Sequence, residues 1–156
     1  MNDPLKTVAF TIPHAEIADA IYSEARVSLA NLEASTAENE ASTKALWDTG
    51  ATHSCISDRL ARKLGLVAVD YAHVATASGI EHVPTYFTHL YLSRELIFRN
   101  WELMQFQYCD DDSDIIIGMD INTQGDFSIS NLDGRTVCSF RLPSQHLVDF
   151  EEELPT

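Results

Sequence analysis

The chain has 156 residues, enough for one domain with a substantial core, and its apolar fraction of 45% is ordinary for a globular protein. Its formal net charge of -14 makes nucleic acid and anionic membrane poor partners. No run of about 18 apolar residues is present, which argues against a membrane-spanning helix.

The first residues, Met1 to Lys6, lack the basic region and long apolar stretch of a signal peptide. Cys55, Cys109 and Cys138 are odd in number and widely spaced, so they read as free thiols in a reducing compartment. The expected location is cytoplasmic. No internal repeat or linker interrupts the chain, so residues 1–156 are read as one domain. Residues 1–6 and 143–156 are expected to be flexible tails, and 33–43 a mobile loop.

Thr7 to Ile12 alternates and is stopped by Pro13, which predicts a short strand. His14 to Tyr22 is read as a turn of helix or irregular chain. Ala25 to Leu32 has period-two alternation and predicts a second strand. Glu33 to Thr43 has no large apolar residue and is expected to be a loop. Lys44 to Trp47 is expected to be a strand that delivers Asp48, on a tight turn through Gly50, at its end. Cys55 to Leu66 carries the strongest helical pattern. Ser57 is its expected cap, Asp58 sits in its first turn, Leu60 and Leu64 share a face, and Gly65 ends it.

Strands are expected over Asp70–Ala77 and His82–Phe87, joined through a tip at Ser78-Gly79, with Pro84 marking the second arm as an edge or exposed strand. Phe87–Leu92 and Glu95–Gln107 are expected to pair through a turn near Ser93-Arg94. Asp110 to Asp114 is expected to be a solvated acidic turn, lacking the Gly and terminal Glu of a calcium loop. Ile115 to Ile121 is read as a buried strand. Asp126–Ser130 and Thr136–Phe140 flank Asn131 to Arg135 as a last hairpin, and Asp149 to Thr156 is a polar tail. Many short strands and one main helix predict an all-β fold, a small barrel or sandwich.

Histidines at 53, 73, 82 and 89 are scattered without metal-ligand spacing, so no metal is expected, although His73 and His82 could face each other across their hairpin. Ser54 and Cys55 lack a recognisable base or elbow motif and are discounted as nucleophiles. Asp120 is read as a surface or ion-paired acid.

Three stretches, taken in order, resemble the retropepsin-like aspartic proteases. They are Leu46-Trp47-Asp48-Thr49-Gly50-Ala51-Thr52, the hairpin tipped by Ser78-Gly79, and Ile116-Ile117-Gly118-Met119-Asp120-Ile121. The continuation Thr52 to Ser57, followed by a helix ending Leu64-Gly65-Leu66, looks more like the bacterial and cellular members than the viral ones. The resemblance spans roughly residues 7 to 142. It implies a small closed β-barrel protomer with one main short helix and a flap hairpin, acting as a homodimer on polypeptide without a cofactor.

In that family Asp48 would be catalytic, with Thr49, Gly50, Ala51 and Thr52 supporting its loop. Ala77, Ser78, Gly79 and Ile80 would form the flap over substrate, and Ile117 and Gly118 the floor strand. Two like carboxyls held close share one proton, so that one can take a proton from water while the other polarises the scissile carbonyl. A single Asp-Thr-Gly then requires two chains. Two other readings compete: a non-catalytic dimeric peptide-binding or protein-binding module of the same fold, and a β-barrel interaction protein in which Asp48 is only a turn residue.

Overall fold

A computed structural model describes residues 6–30, 39–76, 79–107 and 113–152. Its strands are β1 (Val8–Pro13), β2 (Ile21–Leu29), β3 (Glu40–Trp47), β4 (Cys55–Ser57), β5 (Asp70–Thr76), β6 (Gly79–Tyr91), β7 (Ile97–Phe106), β8 (Ile115–Ile117), β9 (Asp126–Leu132) and β10 (Arg135–Leu142). Two short helices, α1 (Asp58–Lys63) and α2 (Met119–Asn122), complete the regular structure, and the fold is all-β as expected. None of the helices among the described residues is long and apolar enough to cross a membrane.

The large sheet has the order β2-β3-β8-β4-β7-β6-β5, and β2 also pairs with β6, so the sheet returns on itself and β5 is left outside the ring. A second sheet, β1-β10-β9, lies beside it. Its side chains seal one end of the core. Trp47 at the end of β3 stacks on Phe127 at 5.3 Å between ring centroids and meets Phe140 at 5.3 Å and Phe10 at 5.8 Å. Its indole Nε1 donates to Ser23 Oγ at 2.9 Å, so the one polar atom of this ring is satisfied inside the core. The residue immediately before Asp48 is therefore anchored from both sheets.

Several elements differ from the sequence expectation. β2 begins at Ile21 rather than Ala25, because Ile21 and Ser23 pair with Trp47 and Ala45 of β3. Glu40 to Thr43 belong to β3 rather than to a loop. Their partners Ser28, Val27, Arg26 and Ala25 supply the ladder, and Arg26 Nη1 meets Glu40 Oε1 at 2.5 Å. Residues 33–38 of the expected loop, like 1–5 and 153–156 of the tails, lie outside the described residues.

Cys55 to Ser57 form β4, wedged between β7 and β8, and the helix starts only at Asp58. Ser57 caps it as expected, its Oγ accepting from Leu60 N at 3.0 Å, and Gly65 follows with φ of +63°. The two expected strands 82–87 and 87–92 are one strand, β6. β6 lies between β5 and β7 along its inner half, but Pro84 sits where the β7 ladder has ended, the last β7 pair being Thr85 with Met104, so its side toward β7 is a local edge. A missing N–H costs no ladder bond there. Of the apolar run 115–121, only Ile115–Ile117 is strand, and the rest turns into α2.

Asp114 corrects the picture of a solvated acidic turn; residues 110–112 lie outside the described residues. Asp114 is buried. It accepts from Ser57 Oγ at 2.6 Å, Arg59 Nε at 3.0 Å, Arg59 Nη2 at 2.7 Å and Thr43 Oγ1 at 3.0 Å, tying β3, β4 and α1 together. Burial alone would raise its pKa, but the bonds from Arg59, Ser57 and Thr43 prevail and hold it below the usual 3.8. A carboxylate with a depressed folded pKa stabilises the fold above its unfolded pKa, and that contribution disappears as pH falls through the folded value. Thermal unfolding followed by circular dichroism should therefore show stability falling below about pH 4. Asp114→Asn should lower stability at pH 7 by about 2 kcal/mol, a value moderated by the half-exposed Arg59, and flatten that acid slope.

Candidate active site

β3 and β8 run parallel, with Trp47 opposite Ile117, so Asp48 and Gly118 leave the sheet side by side. Asp48 N donates to Ile117 O at 3.0 Å. The chain then reverses: Ala51 N donates to Asp48 O at 3.2 Å, and Gly50 N donates to Asp48 Oδ1 at 2.8 Å. A Cβ on Gly50 would come within 3.1 Å of that same oxygen, so glycine lets the amide approach the carboxylate. The far side of the turn is held by α2, whose Met119 N and Asp120 N donate to Ala51 O at 2.8 Å and Thr52 O at 3.2 Å. The 48–52 turn is thus fixed at both ends by backbone bonds. Asp48 is half-buried, and Thr49, Gly50 and Thr52 are exposed.

Gly118 packs against the chain at His53. A Cβ there would fall 2.5 Å from His53 C and 2.6 Å from His53 O. Close backbone packing, expected from sequence, is what this glycine provides. Ile117 beside it is fully buried.

A polar relay that the sequence reading missed lies under this crossing. Ser54 is fully buried; its Oγ accepts from Gly118 N at 3.0 Å and donates to Asp120 Oδ1 at 2.7 Å. Trp101 Nε1 donates to Asp120 Oδ2 at 3.2 Å. Among the described residues Asp120 is therefore neither a free surface acid nor an ion-paired one: its bonds come from neutral donors, and it braces the turn. Ser54 and Gly118 are 64 residues apart, so no local pattern announces the link.

Cys55, the next residue after Ser54, has its thiol pushed up to about 11 by burial, with the negative charges of Asp120 and Asp48 adding to the effect. Against the ordinary value of 9.0, roughly a hundredfold less thiolate is present at neutral pH. Iodoacetamide labelling at pH 8, read by peptide mass mapping, should modify Cys55 far more slowly in the native chain than in urea. Cys138 is also a buried free thiol, and Cys109 lies outside the described residues.

The β5–β6 hairpin brings His73 and His82 together, with ring centroids 4.3 Å apart. Among the described residues no group of three or more His, Cys, Asp or Glu is placed to hold a metal. Ala77 and Ser78 at the hairpin tip lie outside the described residues. Gly79 has φ of +133°, and Ile80 is 72% exposed. Beside the Asp48 turn, and reaching it through His53 and Asp120 rather than Asp48 itself, lies a groove of about 430 Å³. Its walls include Ala72 and Thr85, with Phe87, Trp101 and Met104, and Glu102 stands at its rim.

The family model described as "gag-polyprotein putative aspartyl protease" matches residues 34–121, more than half of the chain, from before β3 into α2. Comparison with curated protein sequences found no match. Among solved structures, the chain is similar to a retropepsin-like aspartic protease from Rickettsia conorii, with a TM-score of 0.51 and 17% identity over 88% of this chain and 96% of that one. It is also similar to the retroviral protease-like domain of Ddi1 from Leishmania major, with a TM-score of 0.46 and 19% identity over 84% of this chain and all of that one. With an acid, threonine and glycine at the end of β3 and a glycine crossing against it, the chain belongs to the retropepsin-like aspartic protease family.

Proposed function

We propose that the protein is an aspartic endopeptidase that works as a homodimer, with Asp48 of each protomer forming a pair that activates water against a peptide bond. The observation that carries this reading is the Asp48 turn: a half-buried carboxylate held at a strand end by Gly50 N, in a loop fixed by β8 and α2 and exposed at Thr49 and Gly50. Asp-Thr-Gly occurs once in the chain, so one protomer supplies one carboxylate of the two that the chemistry requires. In the pair one carboxyl is ionised and takes the proton of water, and the other is protonated and donates to the scissile carbonyl. Thr49 would meet its counterpart across the two-fold axis. Ala77 to Ile80 would cover an extended substrate and exclude water, while Ile117 and Gly118 form the floor beneath the catalytic turn.

The test is the order of the reaction in protein. Cleavage of a quenched-fluorescence peptide library, followed on dilution beside light scattering of the same samples, should fall faster than protein concentration as dimer gives way to monomer. Full specific activity in a sample that scatters as monomer would overturn the reading.

A further inference from the structure

We propose that the groove beside the Asp48 turn is a subsite selective for a cationic side chain, lysine or arginine, of the peptide being cut; the proposal rests on the endopeptidase reading above. Two carboxylates, Asp120 and Glu102, line it together with the polar side chains of His53, Asn100 and Thr85. Asp120 takes its hydrogen bonds from neutral donors only, and Glu102 stands exposed at the rim. Neither is in an ion pair among the described residues, and no lysine or arginine lines the groove. Thr85, only 2% exposed, lines the same space, and its hydroxyl oxygen has no hydrogen-bond partner. A buried hydroxyl without a partner is costly and marks a place where a hydrogen-bonding group of a ligand would be favoured.

Ammonium and guanidinium groups carry donors and no acceptor, which complements the two carboxylates. The walls suit the rest of such a side chain. Phe87, Trp101 and Met104 form an apolar surface along which a methylene stem packs, and Phe87 is left 46% exposed although it lies mid-strand in β6. An aromatic face beside a cation adds further attraction. The chain as a whole, with 24 acidic residues against 10 basic ones, favours approach of a cationic peptide. An apolar side chain would fill the walls but leave the Thr85 hydroxyl unmatched.

The test uses the full chain carrying Asp48→Asn, so that peptides bind without being cut. Fluorescein-labelled apolar peptides, in which one position at a time is lysine, arginine, norleucine or glutamate, are titrated by fluorescence anisotropy. At one position, lysine or arginine should bind roughly fivefold to tenfold tighter than norleucine, and glutamate weaker than either. Glu102→Lys in the same background should erase the preference, and Glu102 is exposed, so the fold is not at stake. Equal affinity for lysine and norleucine at every position, no binding of any peptide, or a preference that survives Glu102→Lys would overturn the proposal. Cleavage by the wild-type chain is scored separately: cutting without a cationic preference removes the subsite alone, and a cationic preference without cutting removes the endopeptidase reading alone.

Discussion

Asp48→Asn is expected to lower peptide cleavage by about 10²–10⁴-fold while leaving the protein folded and self-associated. Asparagine has nearly the shape of aspartate, and its side-chain oxygen can keep the bond from Gly50 N that Asp48 Oδ1 now accepts at 2.8 Å. The Asp48 N to Ile117 O bond and the α2 bonds to Ala51 and Thr52 are backbone bonds and are unaffected by the change. Stability should therefore shift by less than about 1 kcal/mol, as read by urea denaturation. What is lost is a group able to ionise. Mixing the mutant with wild type sharpens the test. After subunit exchange at equal amounts and fixed total protein, about one quarter of a random dimer population has two intact carboxylates, against one half of the protomers. Activity near one quarter of the wild-type level supports a shared site. Activity near one half means that each chain acts alone.

Gly118→Ala is expected to be the most damaging single-methyl change near the site. A Cβ at 118 would lie 2.5 Å from His53 C and 2.9 Å from His53 N, and these are backbone atoms that cannot swing aside. Relief requires the 48–54 segment and the β8–α2 junction to separate. That separation would strain Gly118 N to Ser54 Oγ, Met119 N to Ala51 O and Asp120 N to Thr52 O together. We expect a loss of about 3 kcal/mol or more, at the upper end of overpacking effects, measured as a lowered urea midpoint with unchanged slope. Cleavage by the fraction that remains folded should fall as well, because the same bonds set the Asp48 turn. A Gly118→Ala protein as stable as wild type would mean that the two segments have more room than the 2.5 Å approach allows.

The features legible in the sequence are those whose cause is local. Asp48 at a strand end, Ser57 as a helix cap and Gly65 as a helix stop each depend on neighbours within a few residues, and each stands where it was expected. The hairpin turn at Asp133-Gly134, where both residues have positive φ, is of the same kind. The misread features depend on distant partners. Glu40 to Thr43 look like loop residues until β2 is placed beside them. Asp114 looks solvated until Arg59, Ser57 and Thr43 are brought to it from 55 to 71 residues away. Gly118 divides one apolar run into a strand and a helix because His53 passes over it, which no periodicity in residues 115–121 records. Ser54, which lacks a nucleophile motif, and Asp120, which reads as a surface or ion-paired acid, hold other groups in place, and bracing of that kind has no sequence signature.

The arrangement of β6 has a consequence for motion. From Thr85 onward it is flanked by β5, β7 or β2 and belongs to the closed ring, but from Gly79 to Pro84 its only ladder partner among the described residues is β5. The outer half of this hairpin can therefore part or bend without breaking a ladder bond of the ring among the described residues. A two-stranded ribbon is less stable than a multi-stranded sheet, so substitutions in 79–84 are expected to change local opening of this hairpin more than the stability of the fold, as read by hydrogen exchange. Pro84, with no amide proton to give, stands at the boundary between the two regimes.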